Sequence, residues 1–398
     1  MNALPKCARP CVSRAFVFIA AQTFSLLHRR IAFCESPGSS SVLESAGGIP
    51  IAILPCSRLK VCAATLGYRK ALSVSRGTLL VFCFALVGCR SGPSLNSGRT
   101  VGSSTPEEKA LTFLSQEVPL WHHENRCFSC HNNGDAARAL FVGGHRAYRI
   151  AASTTADTIE WLTKPNRWDD NKGDPRFSDK HLARIQFAAA LTTAIETGHI
   201  KDRRVLVRAA DLVIESQAED GAWHVGSSDS VGSPITYGPS LATHVALRIL
   251  RAAKSDHLRT SIEKGERWLR RAPINSILDA AAILLALENS SDTEAVQQRD
   301  QCLSLIARGQ SADGGWGPFP TAPPETFDTA IVLLALARVP PNPANAEQIR
   351  RGRNFLLKLQ QSDGSWPETT RPPGAESYAH RLSTTGWATL ALLETNRP

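Results

Sequence analysis

Methionine occurs once in the 398 residues, at position 1, so no Met side chain is available as a metal or haem ligand. Cysteine is scarce where a fold would use it. Seven of the ten lie within residues 1–89, and only Cys127, Cys130 and Cys302 follow. Three thiols do not make a disulfide framework. Net charge is also missing from most of the chain. Residues 1–88 hold ten Lys/Arg against two Asp/Glu, whereas from Cys89 onward 35 basic residues face 34 acidic ones. The overall +9 therefore belongs to the leader, and the body lacks the electrostatic footprint of a nucleic-acid partner. Aromatic residues make up only 7%, but a hydrophobic fraction of 42% excludes disorder over the whole chain.

The apolar run Thr78–Val87 is too short to span a bilayer. It follows Arg69, Lys70 and Arg76 and leads to small residues, which is the secretory pattern. The ending Leu86-Val87-Gly88-Cys89 resembles the bacterial lipoprotein box, and this implies lipidation at Cys89. Residues 69–89 are thus expected to be a lipoprotein-type signal peptide, and 90–105, rich in Ser and Gly, a flexible tether. Residues 1–68 carry no sustained period and are left unassigned. A signal beginning seventy residues in is explained if translation starts near Leu66 or Val74; peptides from residues 1–60 in the cell would sink that explanation.

The body, 106–398, repeats. Arg351-Gly352-x-x-Phe355-Leu356 leads to Gln360-x-x-x-Gly364-x-Trp366. The second half recurs as Gln217…Gly221-Ala222-Trp223 and Gln310…Gly314-Gly315-Trp316. The first half recurs at Lys264-Gly265, at Lys109-Ala110 and, weakly, at Asp157. Units starting at 109, 157, 208, 264, 301 and 351 are an array. Each has an amphipathic first helix, a Gly/Asp/Trp loop and a more apolar, Ala-rich second helix. The second helices are read at 181–198, 240–253, 276–289, 327–339 and 383–396, with that of the first unit near Asp135–Ile150. The pattern predicts an all-α ring of about twelve helices in six hairpins, buried helices inside and charged ones outside. Gln217, Gln310, Gln360, Trp223, Trp316 and Trp366 then have structural roles in the loops.

These Gln-x-x-x-Gly-x-Trp loops and Lys/Arg-Gly-x-x-aromatic-Leu lead-ins resemble the repeats of squalene–hopene cyclases and related terpenoid cyclases. The same toroid occurs in protein prenyltransferase β subunits. The resemblance covers roughly residues 105–398 and implies an α6–α6 toroid with a central, largely apolar cavity for an apolar or isoprenoid ligand. It also supplies a test of chemistry. The cyclases' proton-donating motif, Asp-x-Asp-Asp-Thr-Ala, matches Glu325-Thr326-Phe327-Asp328-Thr329-Ala330, so the donor's position holds Phe327. Asp328 is a weak catalytic candidate and reads most simply as a helix cap or surface charge. His380 sits where the prenyltransferases place their zinc-binding His, but the Asp-x-Cys partner is missing, and His380 is otherwise expected at the rim.

One motif carries its own chemistry. Cys127-x-x-Cys130-His131 is the c-type haem attachment pattern, two thiols for the vinyl groups and a His for the iron. With no Met available, the second axial ligand is sought in His122, His123 or His145, nearest in sequence. Two alternatives stay open. Zinc could take Cys127, Cys130 and His131 with His122, His123 or Asp135, or the two thiols could form a local disulfide. The expected function is that of an exported, periplasmic or cell-envelope lipoprotein, a toroid carrying haem c and acting in redox or ligand binding. The alternatives are a zinc-dependent enzyme and a non-catalytic lipid- or protein-binding scaffold.

Overall fold

The computed structural model describes residues 104–171, 179–225, 231–371, 374 and 377–396. The leader, the signal peptide, Cys89 and most of the tether lie outside these residues. Twelve α-helices occur among the described residues. The outer ones are α1 (Pro106–Asn125), α3 (Ala152–Leu162), α5 (Arg204–Ile214), α7 (Arg259–Arg271), α9 (Thr293–Gly309) and α11 (Pro343–Leu359). The inner ones are α2 (Ala137–His145), α4 (Lys180–Glu196), α6 (Pro239–Ala253), α8 (Ile277–Ala286), α10 (Thr326–Leu336) and α12 (Tyr378–Thr395). A π-helical segment, Cys130–Ala136, runs directly into α2. The first inner helix therefore starts earlier than its apolar pattern announced, and α12 begins at Tyr378 rather than near 383.

Local chemistry sets the helix starts. Thr105 and Glu108 form a reciprocal capping box on α1. The side chains of Asp179, Ser276, Asp292, Asn342 and Ser377 accept from backbone N–H groups of α4, α8, α9, α11 and α12. The inner helices pack in order, α2 on α4, α4 on α6, α6 on α8, α8 on α10 and α10 on α12. Helix α12 then returns to α1, α2 and the π segment, which closes an α/α toroid. No described helix is long and apolar enough to cross a membrane.

The repeated loops are the seams of this ring. The Nε2 of Gln217, Gln310 and Gln360 each donates to the Gly carbonyl four residues on, at 2.9, 2.8 and 3.1 Å. Each also donates to a carbonyl of the next outer helix: Ser261, Gln348 and Pro106. The last of these joins hairpin six to hairpin one. Trp223, Trp316 and Trp366 are fully buried, and each indole N–H donates to a carbonyl ten residues back at 2.8 Å. Their backbone N–H groups donate to Thr243, Thr329 and Thr385 of the inner helices. Each loop thus bonds both layers of the ring. The outer seam is completed by Arg353, which donates to Glu107 at 3.1 Å and to the Leu392 carbonyl at 2.7 Å.

Gly364 shows why the loop needs glycine. Its φ is +94°, and a Cβ there would lie 2.3 Å from the Lys109 carbonyl oxygen across the closing seam. Gly198 has φ +81° but open space around it. Gly198→Ala is expected to cost about 1–2 kcal/mol, the strain of a left-handed backbone alone. Gly364→Ala is expected to cost clearly more, because backbone must also move. Urea denaturation of the two variants checks this; equal midpoint shifts would contradict the seam geometry.

Candidate functional site

The Cys-x-x-Cys-His segment is built into the ring at its closing seam. Arg126 ends α1 in the left-handed conformation, with its N–H on the His122 carbonyl at 2.9 Å. Phe128 is then clamped by Asn171, whose side chain accepts from the Phe128 N–H at 3.0 Å and donates to its carbonyl. The Phe128 ring lies stacked between His122 and Trp161, with centroids at 4.0 and 4.4 Å. Ser129 caps the π segment, accepting from the N–H groups of His131 and Asn132. Asn132 and Asn133 are fully buried. Asn132 donates to Tyr378 at 2.8 Å and to the Glu117 carbonyl at 2.9 Å, and Asn133 donates to Thr158 at 2.8 Å. The segment from Phe128 to Asn133 is thus fixed by polar contacts through backbone or side chain. Single-turn π segments often mark functional sites.

The end of that segment holds a buried carboxylate. Asp135 is fully buried, and three donors from three other hairpins converge on it. Gln186 of α4 donates at 2.8 Å, Ser383 of α12 at 2.8 Å, and Tyr237 donates through its hydroxyl. Tyr237 is itself fully buried and holds φ at +59°, a strained backbone for a bulky residue. The Arg138 guanidinium lies 4.4 Å above the Trp387 ring and adds positive charge beside the acid. Burial pushes the Asp135 carboxyl up to about 6, against the downward pull of Arg138 and the three donors.

His131 is attached to this carboxylate. Its Nδ1 lies 3.0 Å from Ser383 Oγ, and the Ser383 hydroxyl proton goes to Asp135. Ser383 must therefore accept, so His131 carries its proton on Nδ1 and keeps the Nε2 lone pair free. Burial, and then the neighbouring His380, lower His131 to about 3, so it is neutral. His380 is buried rather than at the rim, where it was expected. Its Nδ1 contacts Ser377 Oγ at 2.7 Å, its Nε2 is buried without a partner, and burial lowers it to about 4.

The other expected site residues are dispersed. Cys127 lines an outer cleft of about 360 Å³, together with His122, Phe128 and Trp161. Cys130 is half-buried, its thiol pushed up to about 12 by burial and then by Asp135. Both thiols are free, as is the buried Cys302 of α9. His123 is exposed and lies 3.8 Å from Asp157. His145 is exposed at the far end of α2. Among the described residues, no three His, Cys, Asp or Glu side chains converge as a metal site, and the Asp135 oxygens are already taken by their donors.

Asp328 corrects the sequence reading. It is neither a surface charge nor a cap: it is fully buried in the first turn of α10, and Glu325 holds the cap position. Arg371 donates to Asp328 and, at 3.0 Å, to Glu325. Burial raises the Asp328 carboxyl against the pull of Arg371. Phe327 is fully buried, with Trp387 edge-on to it at 6.1 Å. The interior near the inner-helix N-termini is therefore more polar than expected, with Asp135, Gln186, Tyr237, Asp328, His380 and Ser383 buried there. Sequence reasoning missed Gln186, Tyr237, Arg371 and Ser383 altogether. The only early signal was the run Asn132-Asn133-Gly134-Asp135 where an apolar inner helix should begin.

Asp135 has a pH signature. Its folded pKa, about 6, exceeds the ordinary 3.8, so the folded state holds an extra proton between those values and stability falls as pH rises through that window. Asp135→Asn removes this titration but sets an amide N–H₂ against the surrounding donors. The variant is expected to be less stable, with wild type's advantage largest near pH 4 and shrinking by on the order of 3 kcal/mol by pH 7. Urea unfolding at several pH values checks this; a constant difference would contradict it.

Comparison with known proteins fits the fold. Residues 275–398 match the squalene–hopene cyclase C-terminal domain family. The squalene–hopene cyclase of Zymomonas mobilis is 26% identical over 289 residues, covering 58% of this chain and 42% of its own. The lanosterol synthase erg7A of Aspergillus fumigatus is 32% identical over 105 residues, covering 25% of this chain and 14% of its own. The chain therefore spans less than half the length of these two relatives. Among solved structures, the apo type II terpene cyclase MstE from Scytonema aligns over 72% of this chain and 96% of its own, at 13% identity and a TM-score of 0.45. The ent-copalyl diphosphate synthase from Streptomyces platensis aligns over 73% and 50%, at 17% identity and a TM-score of 0.44. The chain is thus an α/α toroid whose C-terminal residues 275–398 are similar to the squalene–hopene cyclase C-terminal domain.

Proposed function

We propose that this toroid is a haem c protein acting in redox or ligand binding, and not a class II terpenoid cyclase. The observation that carries the reading is the state of His131: neutral, oriented through Ser383 by a buried carboxylate, and with Nε2 free. A metal-binding His is prepared in this way, its other ring nitrogen hydrogen-bonded to fix the tautomer. Cys127 and Cys130, both free, stand four and one positions before it and would supply the two thioether anchors of the motif. The residue types match the motif, but in this structure the thiols and the imidazole do not face one space: Cys127 lines the outer cleft, whereas His131 is bonded to Ser383 inside the ring.

A haem held by Cys127, Cys130 and His131 would supply one-electron chemistry. The residues of the chain do the rest. Asp135 keeps the imidazole aligned through Ser383, and the Asn132–Tyr378 and Asn133–Thr158 bonds hold the segment that carries it. The packing of Phe327 and Tyr237 against Trp387 keeps the neighbourhood dry. Phe327 has no proton to give; Asp328 is engaged by Arg371 through Oδ2, and its Oδ1 is buried without a partner. The reading includes export and a lipid anchor at Cys89, which the pattern of residues 69–89 supports, because haem c is attached outside the bacterial cytoplasm.

Full-length protein from a host that attaches haem c is expected to show a Soret band that survives denaturation and a mass increased by one haem. Cys127→Ala with Cys130→Ala is expected to be colourless yet folded, since contacts between neighbours hold an array together. Incubation with squalene is expected to yield no cyclised product. A colourless protein from its native envelope, or cyclised squalene, would contradict the reading.

A further inference from the structure

The outer cleft that Cys127 lines takes no part in the reading above. Its volume of about 360 Å³ lies within the range of small-molecule sites. One wall is the stack of His122, Phe128 and Trp161, which Asn171 locks through both polar groups of the Phe128 backbone. Trp161 is 7% exposed, and its indole N–H is buried without a partner. The indoles of Trp223, Trp316 and Trp366 all donate to carbonyls. Trp161 departs from them, and an acceptor seated in the cleft would satisfy it. His122 Nδ1, on the same wall, is likewise unpartnered.

The charges of the cleft select the acceptor. Lys164 is paired with Glu160 at 2.5 Å, and Asp157 faces His123 at 3.8 Å. Arg126, Arg167 and Asp170 engage no ion pair among the described residues. Two free guanidiniums against one free carboxylate leave a positive excess, which favours an anionic guest.

The two thiols of the motif face different surroundings. Cys127 is free, partly accessible and part of the cleft wall. Cys130 opens the π segment and packs against the hydrophobic core, where burial and then Asp135 keep its thiol protonated. Cys302 is buried in α9. The clamped Phe128 and the Ser129 cap stand between Cys127 and Cys130 in the chain, so an internal disulfide would have to draw Cys130 off the core.

We infer that Cys127 is a modification site, whose thiol forms a mixed disulfide with an anionic low-molecular-weight thiol seated in this cleft. The reaction is an exchange. Cys127 gives its proton to solvent, and the thiolate attacks one sulfur of the small thiol's disulfide. That S–S bond breaks, a new one forms to Cys127, and the other half leaves as a thiolate that takes up a proton. Cys127 is oxidised, the departing half is reduced, and the small disulfide is the oxidant. The inference does not rest on the haem reading. Both use the Cys127 sulfur, so the exchange belongs to the chain before any thioether is made there.

The test uses the full-length chain, made without haem attachment and reduced, and is read by peptide mass mapping. Glutathione disulfide is the anionic probe and cystamine the cationic one. Cys127 is expected to carry a glutathione adduct before Cys130 or Cys302 does. Arg126→Asn, which suits the left-handed backbone there, and Arg167→Ala are each expected to slow the glutathione reaction by about two- to fivefold and not the cystamine reaction. Trp161→Phe, which keeps an aromatic ring in the stack and removes the N–H, is also expected to slow glutathione alone. A Cys127–Cys130 disulfide as the main product would overturn the inference. So would equal labelling of Cys130 or Cys302, or rates with the two probes that respond alike to the three substitutions.

Discussion

A carboxylate buried out of water must be surrounded by donors, and the way Asp135 meets that demand organises the ring. Its donors come from hairpins two, three and six, while it sits itself in hairpin one. Leaving such a group unpaired would cost several kcal/mol, so the four hairpins are held in one relative arrangement. The same constraint accounts for local oddities. Tyr237 endures a left-handed backbone to place its hydroxyl, and Gly386 lets α12 come so close that a Cβ would meet Ala136 Cα at 2.9 Å. The π segment sets Asp135 at the junction of these helices.

Around that centre the ring is maintained by a device repeated three times. Gln bonds its own loop and the next outer helix, Trp fills the gap between layers, and Gly lets backbone pass within contact distance of backbone. Each buried Trp contributes on the order of 4 kcal/mol of apolar burial. Hairpins one, two and four lack this device, and hairpin one replaces it with polar contacts of its own. Its loop carries Cys127, Cys130 and His131 in place of Gln and Trp, and its stability comes from Asn132, Asn133 and Asp135 instead. A loop relieved of the common structural task is where distinct chemistry can be carried.

The array was legible in the sequence because periodic burial writes a periodic pattern. The helices α4, α6, α8 and α10 fall where Ala-rich runs stood, and the Gln and Trp roles follow from their recurrence. The centre was not legible. Asp135, Gln186, Tyr237 and Ser383 are 51 to 248 positions apart and make one site only when the ring closes. Asp328 misled for a related reason: an acid in a first turn reads as a helix-dipole partner, and nothing local reveals that Arg371, 43 positions on, will bury it. His380 was weighed by its place in a related family's zinc site, whereas its surroundings come from α12 meeting the π segment.

The account stands on His131 being a neutral imidazole with its proton on Nδ1, held there by Ser383 and Asp135. Nitrogen-15 NMR of histidine-labelled protein carrying Cys127→Ala and Cys130→Ala reads this directly, free of any haem. The account predicts the Nδ1–H tautomer for His131 at pH 7–8, above the Asp135 value of about 6, and a neutral ring down to pH 4, because its own pKa is lowered to about 3. A His131 signal that titrates near 6.5, the ordinary value, or one that shows the Nε2–H tautomer at pH 7–8, would contradict it.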